Sequence, residues 1–142
     1  MKHILGITLL LFVYSCSTTD DVKEFREGLP QTWRLAGLNA GLSGEYFEAD
    51  DLPFQETIQL ANDSTFVRTR IQDTATLEAT GVFEIRLRDD QEYLVLWNTE
   101  QNELISNCTR ALEEWFLFTS SITISGGGLP CDKPGLDYRR IE

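Results

Sequence analysis

The chain has 142 residues, which fits a single domain, and its 42% hydrophobic and 25% charged residues are ordinary for a globular protein that builds its own core. Twenty-three Asp and Glu stand against 12 Lys and Arg, a net charge of −11. Such a surface repels phosphate backbones and anionic membrane faces, and it argues against nucleic acid as a partner.

Lys2 and His3 make a short polar start, and 4–13 is almost wholly apolar, interrupted only by Gly6 and Thr8. A run this short reads as the core of a signal peptide and falls short of a bilayer span. Val13-Tyr14-Ser15-Cys16 follows at once and resembles the bacterial lipobox, with an aliphatic residue three before the cysteine and a small residue directly before it. That resemblance implies cleavage before Cys16, a diacylglyceryl group on its sulfur and an acyl chain such as palmitate on the new amine. It implies an outer-membrane lipoprotein facing the periplasm or the cell surface, with the membrane as its partner. Each buried CH₂ contributes about 0.8 kcal/mol and a single chain is marginal, so several chains make a firm anchor. Residues 1–15 are then a signal peptide. Residues 16–28 comprise the lipidated cysteine, a tether and a short helical turn. No apolar periodicity covers 17–21. The sequence STTDDVKE resembles the export signal of surface lipoproteins of Bacteroidetes, and a solvated linker explains it equally well. The helical turn falls within 22–28, capped by Asp20 or Asp21 and stopped by Gly28-Leu29-Pro30.

From residue 29 the period turns strand-like. Strands are expected over 33–38, 57–61 and 65–72, with a loop at 41–53 and a turn at 62–64. In 65–72, Val67 and Ile71 share one face and Arg68 and Arg70 the other. A polar connection is expected over 73–79. Then 81–88 alternates, with Phe83, Ile85 and Leu87 on one side and Glu84, Arg86 and Arg88 on the other, as a half-buried strand does. Asp89-Asp90-Gln91 reads as a hairpin and 93–97 as its returning strand. A turn at 98–102, a weaker strand at 103–108, strands at 113–118 and 121–125, a Gly/Pro-rich loop at 126–135 and a closing strand at 136–141 complete the chain. Eight or nine sequential strands with short connections and no crossover helices predict an all-β, antiparallel up-and-down barrel or a sandwich.

Cys108 and Cys131 can form one intramolecular bridge, which an exported compartment permits. Closing that loop would stabilise the fold by roughly 3 kcal/mol in the chain-entropy model. Two separate buried thiols are the alternative. His3 is the only histidine and is lost with the signal peptide, which excludes His-dependent nucleophilic catalysis and most zinc sites. Gly126-Gly127-Gly128 lacks the Lys-Ser/Thr of a P-loop. Asp50-Asp51 and Asp89-Asp90 lack calcium-loop spacing. The chain therefore reads as a non-enzyme without metal or cofactor. Asp63-Ser64-Thr65 and Asp73-Thr74-Ala75 resemble the O-glycosylation triplet of Bacteroidetes, which makes Ser64 and Thr74 candidate glycan sites on turns.

Three places resemble the lipocalin-like (calycin-like) lipoproteins of Bacteroidetes. They are Thr32-Trp33-Arg34-Leu35, with a tryptophan on the first strand after a helical turn; a strand ending near Phe66 followed by Gly81-Val82-Phe83-Glu84-Ile85; and Cys131-Asp132 through Asp137-Tyr138-Arg139-Arg140-Ile141. The resemblance covers most of 29–142. It implies a lipocalin-like barrel of about eight strands, closed at its base by Trp33 packed against Arg139 or Arg140. An arginine over an indole contributes on the order of 1 kcal/mol or more when partly buried.

Two functions from different classes follow. One is a monomeric binding protein carrying a small hydrophobic ligand, lined by Phe66, Val67, Phe83, Ile85, Tyr93, Val95 and Trp115. The same side chains could instead fill the interior. The other is a surface module that binds a protein or glycan, or inhibits an enzyme, through the loops 41–53 and 126–135.

Overall fold

The computed structural model describes Phe25, residues 28–127 and residues 131–142. The expected signal peptide, Cys16 and the tether lie outside the described residues. Of the helical turn expected within 22–28, Phe25 is helical and its carbonyl accepts the Gly28 N–H.

Nine strands follow: β1 (Gln31–Asn39), β2 (Tyr46–Glu48), β3 (Gln55–Leu60), β4 (Thr65–Gln72), β5 (Ala75–Arg88), β6 (Gln91–Asn98), β7 (Glu113–Ser120), β8 (Thr123–Gly127) and β9 (Gly135–Arg140). Strands β3 to β9 pair in sequence order, all antiparallel, and β1 pairs with both β3 and β9. β1 and β3–β9 thus close into an eight-stranded up-and-down barrel without a free edge. β2 is a short addition on β1, which gives 31–34 to β3 and 37–39 to β2.

The barrel has an N-terminal end and a distal end. Phe25, the start of β1, the β3–β4, β5–β6 and β7–β8 turns and the end of β9 lie at the N-terminal end. The connections 40–54, 73–74 and 99–112 and residues 131–134 lie at the distal end. The two-residue β5–β6 turn holds Asp89 and Asp90 at φ 51° and 60°, the doubly left-handed geometry that suits the twist of a tight hairpin. The Cys108–Cys131 disulfide, with Cα atoms 5.4 Å apart, ties the 99–112 connection to the one before β9.

Alternation selects the core. Trp33, Ile58, Leu94, Leu96, Phe116 and Ile124 have no exposed surface, and each such burial stabilises by roughly 1.5–3 kcal/mol. On β1 the register to β9 slips between Leu35 and Gly37, so that Leu35 faces Tyr138 and Leu38 faces Leu136. This bulge keeps both leucines inside despite their odd spacing. Gly81 lets the Phe66 ring approach the wall closely; a Cβ there would meet that ring and the Trp97 carbonyl.

Three expectations change. The polar stretch 73–79 is a turn of only Asp73 and Thr74, because Ala75–Gly81 extend β5 and pair across β4 with polar side chains facing water. Residues 103–108 form no strand: Leu104, Ile105 and Ser106 are buried in an irregular connection across the distal end. Phe66 opens β4 rather than ending a strand.

Candidate binding site

The barrel interior divides into two regions of opposite chemistry. Near the N-terminal end it is hydrocarbon. Phe25 meets Phe118 edge-on at 5.5 Å and Phe83 at 6.4 Å, and Trp33 meets Phe118 at 6.0 Å. The Trp33 indole N–H donates to Gln31 Oε1 at 3.1 Å, and Gln31 Nε2 donates to the Phe25 carbonyl at 3.0 Å. Gln31, 2% exposed, thus fixes both the indole and the segment that caps the barrel.

Toward the distal end the interior is ionic. β3 turns Glu56 inward, β4 turns Arg68 and Arg70 inward, β7 contributes Glu114 and β9 Tyr138. Arg68 has no exposed surface and donates through Nε to Glu56 Oε1 at 2.5 Å, through Nη1 to Glu114 Oε2 at 2.8 Å and through Nη2 to the Tyr138 hydroxyl at 3.0 Å. Glu56 also accepts from Arg70 Nε and from the Tyr138 hydroxyl. The remaining oxygen of Glu114 accepts the Ser106 backbone N–H at 2.8 Å, which docks the 99–112 connection onto the network. Two carboxylates face two guanidiniums, and among the described residues no buried side-chain polar atom lacks a partner. Burial alone would discourage the charge on Arg68; the facing Tyr138, Glu114 and Glu56 oxygens reverse this and hold its pKa above the ordinary value. Burial pushes the Tyr138 phenol well above its usual value, and the Glu56 carboxylate reinforces the shift against the opposing pull of Arg68.

Among the described residues, two hollows lie at the N-terminal end. A cleft of roughly 470 Å³ runs beside Phe25, lined by Ile85, Leu87, Leu117 and Phe118, by the β5–β6 hairpin, and by Arg140. A smaller hollow of roughly 140 Å³ lies on the other side of Phe25, bounded by Leu29, Phe83 and Ser64.

Ile85 therefore lines a cleft, Phe83 borders the smaller hollow and Phe66 is packed core. Val67, Tyr93, Val95 and Trp115 face outward instead of lining an interior. Val67 alternates with inward Phe66 and Arg68, Tyr93 and Val95 with inward Leu94 and Leu96, and Trp115 lies between inward Glu114 and Phe116. On β4 the usual polarity is inverted: the arginines go inside because carboxylates wait for them there. Outside, Arg86 lies 5.3 Å from the Trp97 ring and 5.6 Å from the Trp115 ring, Tyr93 meets Trp115 edge-on, and Trp97 Nε1 donates to Glu84 at 2.8 Å. This layer buries Val95 completely from the outside.

Trp33 is buried as the sequence suggests, and Arg140 is its cross-strand neighbour. Arg139 alternates outward and is exposed. Neither arginine stacks on Trp33 among the described contacts: the arginine against rings inside the barrel is Arg68, 5.9 Å from Phe116 and 6.0 Å from Tyr138. Ser64 and Thr74 are both exposed, on turns at opposite ends. Glu56, Arg68, Glu114 and Gln31 were missed as interior residues. The one available signal was the strict alternation of 65–72, which forces either its arginines or its aliphatics inside. No family model, curated protein or solved structure matches this chain.

Proposed function

We propose that the protein is an exported, lipid-anchored, lipocalin-like binding protein that takes a small hydrophobic ligand at the N-terminal mouth of its barrel rather than along the axis. The observation that carries this reading is the cleft beside Phe25. Its volume falls within the range of small-molecule pockets, and its lining pairs an apolar wall of Phe25, Ile85, Leu87, Leu117 and Phe118 with a comparable polar one from the β5–β6 hairpin, residues 119–121 and Arg140. The distal half of the interior is closed to such a ligand, which would have to displace Arg68 from two carboxylates. The apolar run 4–13 and Cys16 after Val13-Tyr14-Ser15 support export and anchoring.

Native mass spectrometry of the intact purified chain tests the ligand. A bound small species is expected, and Ile85→Trp, which fills the cleft from its own wall, is expected to abolish it. A clean unliganded mass in several preparations would overturn the ligand reading. It would favour a second one, a surface interaction module, for which the filled distal half and Leu42, 84% exposed on the 40–54 connection, already speak.

A further inference from the structure

Three large aliphatic side chains are exposed around one end of the barrel: Leu87, 51% exposed, at the end of β5; Ile122, 46%, in the β7–β8 turn; and Ile141, 44%, just after β9. The Arg140 N–H bonds to the Ile122 carbonyl, and Leu87 and Arg140 line the same cleft. Leu87 thus lines the cleft, and Ile122 and Ile141 each adjoin a lining residue, Ser121 and Arg140. Leu42, Ile71 and Leu112 are exposed toward the distal end, but none of them borders the cleft.

Charge differs between the two ends. The distal connection 40–54 carries Glu45, Glu48, Asp50 and Asp51 and no cation, and 99–112 adds Glu100 and Glu103 against Arg110. At the N-terminal end, Arg34, Arg88, Arg139 and Arg140 stand beside Asp63, Asp89, Asp90, Glu92 and Glu142, so the acidic excess is smaller than at the distal end. One end suits the polar boundary of a bilayer and the other is repelled by it.

The chain enters the barrel at that same end, through Phe25. Eight residues lie between Cys16 and Phe25, and the nine steps from one to the other, at about 3.3–3.6 Å each, reach at most about 32 Å. We propose that the N-terminal end of the barrel is a lipid-contacting surface, seated on a phospholipid bilayer through Leu87, Ile122 and Ile141 with Arg139 and Arg140 at the headgroups, so that the cleft opens directly onto the membrane. This rests on the anchor proposed above and adds an orientation and a source of ligand: the cleft exchanges its occupant with the bilayer rather than with solution.

The test is amide hydrogen exchange of the intact chain reconstituted in phosphatidylcholine–phosphatidylglycerol vesicles, after its mass has established whether Cys16 is acylated. Peptides covering 86–91 and 119–123 are expected to exchange several-fold more slowly than in the same chain carrying Leu87→Asp, Ile122→Asp and Ile141→Asp, while 40–52 is indifferent. Slow exchange at 94–96 in that variant shows that the barrel is still folded. Acylation without protection of the rim overturns this proposal and leaves the anchor standing. Absence of acylation overturns both. Protection that grows with protein-to-lipid ratio means that a second copy covers the rim, and it also overturns the proposal.

Discussion

The two regions of the barrel interior are built on opposite principles. Around Trp33, Phe83 and Phe118 the interior holds by area: side chains are buried because water is excluded, and a cleft lies beside them. Around Arg68 it holds by pairing: each donor meets an acceptor, and the geometry admits nothing else. A hydrocarbon wall tolerates a guest or a changed side chain. A desolvated charge network tolerates neither, because a missing partner leaves a buried charge uncompensated. The difference teaches where a ligand can be held in this barrel and where it cannot.

The comparison breaks most forcefully at Arg68. Arg68→Met strands Glu114 and removes one partner of Glu56, and it is expected to cost about 3–5 kcal/mol in urea unfolding. A loss below about 1 kcal/mol would mean that the network contributes little beyond shape. The second effect is at the distal closure. Replacing Cys108 and Cys131 by Ser together is expected to cost roughly 3 kcal/mol and to speed amide exchange in 99–112, with cleft binding at the other end unchanged. Faster exchange at 86–91 as well would show that the two ends are not independent.

Gly81→Ala tests the hydrocarbon side, where the added methyl meets the Trp97 carbonyl, a backbone atom that cannot turn aside. A cost of about 1–3 kcal/mol is expected from overpacking, and an unchanged urea midpoint would show that this wall yields.

Alkaline titration sharpens the contrast without breaking the fold. An unfolded tyrosine releases its proton at about pH 10, whereas Tyr138 in the barrel keeps its own. Stability should therefore be complete below about pH 10 and decline as the pH rises toward the folded values, because the unfolded state then binds fewer protons. Tyr138→Phe should flatten the decline. Tyr46, pushed up to about 12 by partial burial and its bond to Asp137, leaves a residual slope. An identical slope in wild type and Tyr138→Phe would remove Tyr138 as its source. The smallest effect on stability is expected from Ile85→Trp, within about 1.5 kcal/mol as befits a side chain beside open space, although it should abolish ligand binding.

Much of the barrel was legible. Asp89-Asp90 between two alternating runs marks a hairpin through local backbone preference alone, and 81–88 declares its inward face through Phe83 and Ile85. The interior of 65–72 was not legible. Alternation offered Val67 and Ile71 or Arg68 and Arg70 as the inner set, and only the arrival of Glu56, twelve residues away, and Glu114, forty-six away, makes the arginines the better choice. Trp115 misleads for a related reason: both of its neighbours, Glu114 and Phe116, look equally able to face either way, and the larger apolar side chain ends up outside under Arg86 and Arg88.

What the sequence by itself determined is therefore local and periodic. Strand spacing, the tight turns and the one pairing available to Cys108 and Cys131 led to an all-β antiparallel chain with a bridge at one end, because backbone preference and a two-residue period need no distant partner. What only the tertiary structure decided is which half of the interior is filled by charge pairs. That depends on carboxylates from β3 and β7 converging on an arginine from β4, a juxtaposition set by barrel closure, and no pattern within a single strand encodes it.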